Sequence, residues 1–305
     1  MVNVRLYPSP ADFGAVARWV YRRDPVRYTL ELTTLRASPW PDGQVLASVT
    51  GDDAIGAVVQ GGNGCLLVGG LPVGLAGEAA VALASAGLAS VRGTRSAATA
   101  FTNAWCGVVP DGQAVPTRED VLYRLADLVP PDGVAGTQRP ALDADDEMIT
   151  DWLARFLIDA HGTDPDRADG GGLLREIVDA GGRIVLWTVD DVPVSMARVH
   201  APAVGTSRIG PVYTPPEHRG HGYAAAVTSA AVEHATRCGA RDVVLFADAY
   251  NPVSNRVYRR IGFVPVAEHV EFELEVRSEA PAVRCSSPGV TGRTPGARPT
   301  AGSSR

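Results

Sequence analysis

Residues 208–226 read RIGPVYTPPEHRGHGYAAA. A strand-like apolar run closes on Pro215 and Pro216, the turn Arg219-Gly220-His221-Gly222-Tyr223-Ala224 follows, and the alanine-rich segment after it has the composition of a helix. The first N–H groups of a helix have no intrahelical partner, and the dipole adds roughly half a positive charge at that end. A glycine turn leading into a helix is therefore an anion site, and a phosphate or pyrophosphate is its natural ligand.

Outward from this turn, the C-terminal half alternates helices and short strands. The spacing of Met148, Trp152, Phe156 and Leu157 predicts a helix over 145–160, and a second helix over 173–180 ends at Gly181-Gly182. Strands are expected at 184–189 and 192–200 around an Asp190-Asp191 turn, and at 207–214. The helix 223–236, closed by Cys238-Gly239, leads to an apolar strand at 243–247, a short helix at 252–261 and a strand at 263–272.

The N-terminal half follows a similar order. Phe13, Val16, Trp19 and Val20 predict a helix over 11–22 with Ser9 as N-cap, and Pro25 opens a second helical segment to Leu35. Apolar runs at 45–49, 55–59 and 65–68, separated by GDD and GGNG turns, predict an antiparallel meander. Helices at 75–88 and 97–105 and a last strand at 121–129 complete it, and the Pro/Gly-rich segment on to Pro140 reads as a linker. The expected division is a domain over 1–138, a second over 139–276 and a disordered tail over 277–305, with internal duplication expected and two unrelated α/β halves as the alternative.

Composition bounds the function. The 305 residues carry a net charge of -6, and all 28 basic residues are arginines scattered along the chain, which argues against a nucleic-acid surface. The apolar runs are broken by glycine, and the first residues, MVNVRLYPSPADF, lack a signal-peptide pattern, so no membrane association and a cytoplasmic location are expected. Cys65, Cys106, Cys238 and Cys285 show no CxxC spacing, and His218 and His221 flank the turn without a third ligand, so neither a disulfide framework nor a metal site is implied.

Gly220-His221-Gly222-Tyr223-Ala224-Ala225 also fits GxGxxA, a dinucleotide fingerprint, with Asp248 in the place of a ribose-binding acid. Against it, Pro215-Pro216-Glu217-His218 separates the turn from its strand, and the preceding strands form hairpins instead of alternating with helices. A second motif points elsewhere. After the strand VVLFAD come Asn251-Pro-Val-Ser-Asn-Arg-Val-Tyr258-Arg-Arg-Ile-Gly-Phe263. With the RxxGxA turn at Arg219, Gly222 and Ala224, residues 207–263 resemble the core of the GNAT N-acetyltransferases, and the resemblance extends over about 140–275.

The resemblance implies a mixed-sheet α/β fold, in tandem if the N-terminal half is a degenerate copy, and transfer of an acetyl group from acetyl-CoA to an amine. It implies that backbone N–H groups of Arg219, Gly220, His221, Gly222, Tyr223 and Ala224 bind the pyrophosphate, and that Val212, Tyr213 and Thr214 run beside the pantetheine arm. An N–H near Val212 would polarise the thioester carbonyl, Asn251 would hydrogen-bond the pantetheine, and Tyr258 would donate a proton to the departing thiolate. Read as residues alone, Tyr258 could also be a core aromatic and Asn251 a turn or capping residue before Pro252. Arg219 is read as orienting the loop or facing the 3'-phosphate.

No Glu lies between Arg183 and Val212 to serve as the family's usual base, while Glu217, Asp248 and His200 read as surface or turn residues, which leaves a water chain. The N-terminal half has no RxxGxA after its third strand, and Trp105 or Cys106 stands where the tyrosine would be, so a second acetyl-CoA site is not expected there. The acceptor is an unidentified small-molecule or peptide amine. A non-catalytic acyl-CoA-binding module and a nucleotide-dependent oxidoreductase are the alternatives.

Overall fold

The computed structural model describes residues 2–36, 40 and 43–276, so the expected tail and Cys285 lie outside the described residues. In chain order the elements are β1 (Asn3–Leu6), α1 (Pro10–Tyr21), α2 (Thr29–Thr34), β2 (Leu46–Thr50), β3 (Ile55–Gln60), β4 (Cys65–Leu67), α3 (Ala76–Leu83), β5 (Ser90–Thr94), α4 (Arg95–Val108) and β6 (Gly112–Leu125). They continue as β7 (Thr137–Pro140), α5 (Asp146–His161), α6 (Gly170–Asp179), β8 (Arg183–Val189), β9 (Val192–Val199), β10 (Thr206–Tyr213), α7 (Tyr223–Arg237), β11 (Asp242–Asp248), α8 (Pro252–Arg260) and β12 (Phe263–Val276). Each half therefore runs strand, two helices, three strands, helix, strand, helix, strand.

All twelve strands join one sheet in the order β1-β2-β3-β4-β5-β12-β6-β11-β10-β9-β8-β7. The two halves exchange their last strands. β6 pairs with β11 from Val244↔Arg124 to Asp248↔Asp120, and β12 pairs with β5 from His269↔Thr94 to Glu273↔Ser90. Between them, β6 and β12 pair antiparallel along their whole length, from Leu125↔Phe263 to Gly112↔Val276.

Local chemistry places the elements. Ser9 caps α1 through the Asp12 N–H at 3.3 Å, and Asp169 caps α6 through the Gly172 N–H at 2.7 Å. Asp190 and Asp191, with φ of 48° and 63°, make the two-residue hairpin between β8 and β9.

The sheet is covered on both faces. On one face, Phe13, Val20 and Tyr21 of α1 pack on Leu46, Ala57 and Val59, and Ile149, Trp152 and Leu153 of α5 pack on Ile184, Leu186 and Met196. On the other, α3 and α4 bury Ala79, Leu83 and Phe101 against Val49, Val58 and Val91, while α7 buries Val227 and Ala231 against Val199, Ile209 and Val243. α2 of the N-terminal half lies against both β3 and β10, and Arg36 just beyond it donates to the Pro202 carbonyl at 2.7 Å.

Several expectations change. β6 begins nine residues before Val121 and ends at Leu125, because GQAVPTRED is largely polar and hides the period-two pattern of a strand held mainly by its exchange partner. The segment read as linker contains β7, a short polar edge strand on β8. β1 and β5 are strands without an apolar run. The helical segment from Pro25 is limited to Thr29–Thr34, and the helix expected over 75–88 stops at Leu83.

Candidate functional site

β10 and β11 run parallel and are paired from Thr206↔Asp242 to Ile209↔Leu245. Beyond that point they separate. Phe246, Ala247 and Asp248 stay on β6, while Val212 and Tyr213 stay on β9 after a bulge at Gly210 and Pro211. A wedge thus opens between two parallel strands at their C-terminal ends, where open sheets bind ligands.

The glycine turn stands at the mouth of this wedge. His218 and Arg219 spend their N–H groups on Pro215 and Pro216, and the first bond of α7 runs from Ala226 to Gly222. Gly220 through Ala225 donate to no backbone acceptor among the described residues, which leaves a run of six N–H groups for a ligand. Gly220 and Gly222 hold φ of 86° and 83°, a left-handed conformation that aims consecutive N–H groups into one concavity.

Arg219 is committed to holding the turn. Its Nε donates to the Thr214 carbonyl at 3.0 Å, and its Nη2 pairs with Asp159 on α5 at 2.9 Å. His221 stacks on Tyr223, with ring centroids 5.4 Å apart. The side chain of Tyr213 is buried beside Trp152, and Ser195 Oγ bonds both the Tyr213 carbonyl and Thr214 Oγ1. Val212 packs against the α7 side of the sheet.

α8 carries the other two residues. The Asn251 carboxamide oxygen accepts the N–H groups of Val253 and Ser254, both at 3.1 Å, so it caps the helix and only its amide N–H₂ remains for a ligand. Tyr258 lies edge-on to Phe263 at 6.2 Å, and burial alone pushes its phenol up to about 12. It keeps its proton at neutral pH, as an acid must.

The base candidates separate clearly. Glu217 and Asp248 are exposed, and Asp248 accepts the Tyr250 N–H at 2.8 Å. His200 is buried, and desolvation followed by the charges of Arg208 and Arg198 holds its imidazole well below the usual range. Its ring is already bonded to the Gly210 backbone and approached by Arg208 at 3.3 Å.

Sequence reasoning missed the contribution of β6. Tyr123 bonds Asn255 on α8, and Glu119 accepts from Tyr250 at 3.0 Å and Arg95 at 2.6 Å beside the end of β11. Only the strand exchange brings these residues to the C-terminal half. Grooves of about 750 and 650 Å³ lie outside the wedge, one between α4 and β12 and one between α8 and β6.

The corresponding place in the N-terminal half is closed. β4 and β5 stay paired, the Val68 N–H continues the ladder to Arg92 at 2.9 Å, and a Cβ on Gly93 would lie 3.1 Å from the Gly69 nitrogen. Leu71 and Leu75 donate back within their own turn, and Trp105 is buried in the core. No wedge opens there.

Residues 147–263 match the model of the Acetyltransferase (GNAT) family. Among solved structures, the chain is similar to a GCN5-related N-acetyltransferase from Sphaerobacter thermophilus, with a TM-score of 0.56, 18% identity, and coverage of 90% of this chain and 95% of that one. It is also similar to a GCN5-related N-acetyltransferase from Kribbella flavida (TM-score 0.54, 21% identity, 83% and 95% covered). A tandem GNAT protein from the clavulanic acid biosynthesis pathway matches with a TM-score of 0.54 and 14% identity over 90% of this chain and 98% of that one. These likenesses show a tandem mixed-sheet fold of the GNAT type, with the family match confined to the C-terminal half. No curated protein matches the chain.

Proposed function

We propose, on the premise that residues 147–263 form a GNAT acetyltransferase domain, that the C-terminal half moves an acetyl group from acetyl-CoA to a primary amine of a small molecule or peptide. The observation that carries this reading is the wedge between β10 and β11, with the unpaired N–H groups of Gly220 to Ala225 at its mouth. A pyrophosphate on those groups directs the pantetheine arm between Val212–Thr214 and the end of β11, within reach of the Asn251 amide.

In this reading the amine nitrogen attacks the thioester carbonyl, whose oxygen is polarised by an N–H near Val212. The C–S bond then breaks, the thiolate takes the Tyr258 proton, and the amine proton leaves through water. Holding the two reactants in line supplies much of the acceleration, and one positioned acid adds about 10²- to 10⁴-fold. The N-terminal half, residues 1–138, acts as a structural copy that lends β6 and α2 to the active half.

The test is a screen of amines for free-thiol release, with Tyr258→Phe as the partner variant. The expected result is turnover by the wild type and a kcat at least about 10²-fold lower in the variant, with the KM for acetyl-CoA unchanged. Because burial holds Tyr258 near 12, the acid is not lost from kcat in the range up to about pH 10. CoA binding without thiol release, for every amine and both proteins, would sink the reading in favour of a non-catalytic acyl-CoA-binding module.

A further inference from the structure

On the face carrying α1, α2, α5 and α6, the central strands bury polar groups. Asp120, His269, Arg198, His200 and, from α2, Glu31 are all less than a tenth exposed. Arg92 Nε, Arg198 Nε, Arg208 Nη1, Asp120 Oδ1 and both ring nitrogens of His269 are sealed from solvent without a hydrogen-bond partner. Buried donors and acceptors in folded proteins are satisfied by protein, water or ligand, so this group outlines a polar chamber that something fills.

The charges in the chamber are unevenly matched. Asp120 is taken by Arg92 and by Arg118, and Arg198 reaches Glu176 at 3.5 Å. Arg208 makes no ion pair among the described residues, and its near neighbour is the neutral His200. Burial, then the charges of Arg198 and Arg92, hold the Arg208 guanidinium down to about 9. Burial pushes the Glu31 carboxyl up to about 7, so at neutral pH it offsets only part of a charge. One guanidinium is left wanting an anion.

This chamber lies beside the inner end of the wedge. Arg208 pairs with Val244, one residue before the last β10–β11 pair. Phe246, at the first separated position on β11, lies under the Arg92 guanidinium at 5.2 Å and beside His269 at 5.0 Å. His200 touches Gly210, where β10 bulges away. Arg208 as a whole is only partly buried, so the residue is not wholly shut off from its surroundings.

We propose that the chamber is the distal end of the acceptor site and binds a carboxylate of the amine substrate, with Arg208 as its main partner and Arg92 above Phe246 as its flank. The acceptor is then an amino acid or a similar amine bearing a carboxylate. This rests on the acetyl-transfer reading above. A planar carboxylate matches the guanidinium fork and brings one negative charge for one unpaired cation, whereas a dianion would meet Asp120 and Glu31 at close quarters.

The test has an activity arm and a binding arm. Glycine, β-alanine, 4-aminobutyrate and the α-amino acids are each compared with their carboxamides for thiol release from acetyl-CoA. The expected result is a kcat/KM at least tenfold higher for the best carboxylate than for its carboxamide. Arg208→Gln should abolish that preference through KM, with the KM for acetyl-CoA unchanged. Arg208→Lys keeps the charge, guards against a folding failure of the first variant, and should lose part of the preference. In the binding arm, ligand-observed NMR follows the same probes on the CoA-loaded protein. Carboxylate binding that disappears in Arg208→Gln and weakens in Arg208→Lys upholds the site even if no amine is acetylated, which would count against the transfer reading alone. No carboxylate preference in either arm, or a preference that survives both variants, overturns the proposal and assigns the chamber to internal water.

Discussion

Tyr123 Oη donates a 2.7 Å hydrogen bond to Asn255 Oδ1, joining two residues 132 positions apart and from opposite halves of the chain. The other end of the Asn255 carboxamide donates to the carbonyls of Asp248 at 2.8 Å and Asn251 at 2.7 Å. One buried side chain thus fixes the end of β11, the start of the helix bearing Tyr258, and the exchanged strand β6. Tyr123→Phe leaves the Asn255 oxygen buried without its donor, which costs about 1–3 kcal/mol. Urea unfolding is expected to show that loss as a lower midpoint with an unchanged slope. A variant as stable as the wild type would mean that the bond contributes nothing net.

The strand exchange predicts that the halves do not fold independently. A piece spanning residues 139–276 has no β6, so β11 presents an open edge and β12 loses both of its neighbours. Such an edge templates association. The piece is expected to aggregate or to elute as a multimer, and co-expression with residues 1–138 should recover a soluble complex. A well-folded monomer of 139–276 by size exclusion and circular dichroism would contradict this.

The elements of the C-terminal half were legible because their signals are local. Apolar runs, a two-residue Asp turn and a proline-led helix each announce themselves within ten residues or so, and the glycine turn carries its own chemistry. What the sequence hid is non-local. Residues 112–120 look like a polar loop because their partner, β12, lies some 150 positions away, and nothing near Tyr123 or Glu119 says which half they serve. Arg208 and Glu31 read as an ordinary strand residue and an ordinary helix residue, since their burial depends on α2 crossing from one half to the other. Asn251 was legible in both directions: its motif suggests a ligand contact and its place before Pro252 a cap, and the carboxamide oxygen does cap the helix while the amide N–H₂ stays available.

Arg219 and Asp159 give a prediction about the turn. Their ion pair, at 2.9 Å, is about half exposed on both sides, so solvent screening limits it to about 1 kcal/mol or less. Asp159→Asn should therefore raise the KM for acetyl-CoA only about two- to fivefold, with kcat unchanged. The difference between wild type and variant should shrink as salt is raised toward 1 M, where the screening length is about 3 Å. A large fall in kcat instead would give Asp159 a part in the chemistry itself.

Glu31 makes stability depend on pH in an unusual direction. Burial raises its folded value to about 7, against an ordinary carboxyl near 4.5, with its own N–H, that of Gly69 and the Arg208 and Arg92 charges acting the other way. The native state therefore holds a proton that the unfolded chain releases between those values. Its contribution to stability is fully present below pH 4.5 and is lost as pH rises to about 7, a change of about 3 kcal/mol at 1.36 kcal/mol per pH unit. His269 runs the opposite way: burial holds it down to about 3, so folding is weakened as pH falls below its ordinary 6.5. The two trends overlap in the wild type, and Glu31→Gln separates them. That variant keeps an acceptor for the Gly69 N–H and removes the ionisation. It should match or slightly trail the wild type at pH 4.5 and exceed it by about 1–3 kcal/mol at pH 8, measured by urea unfolding. An advantage that is the same at both pH values would show that the Glu31 carboxyl does not titrate across this range in the folded protein.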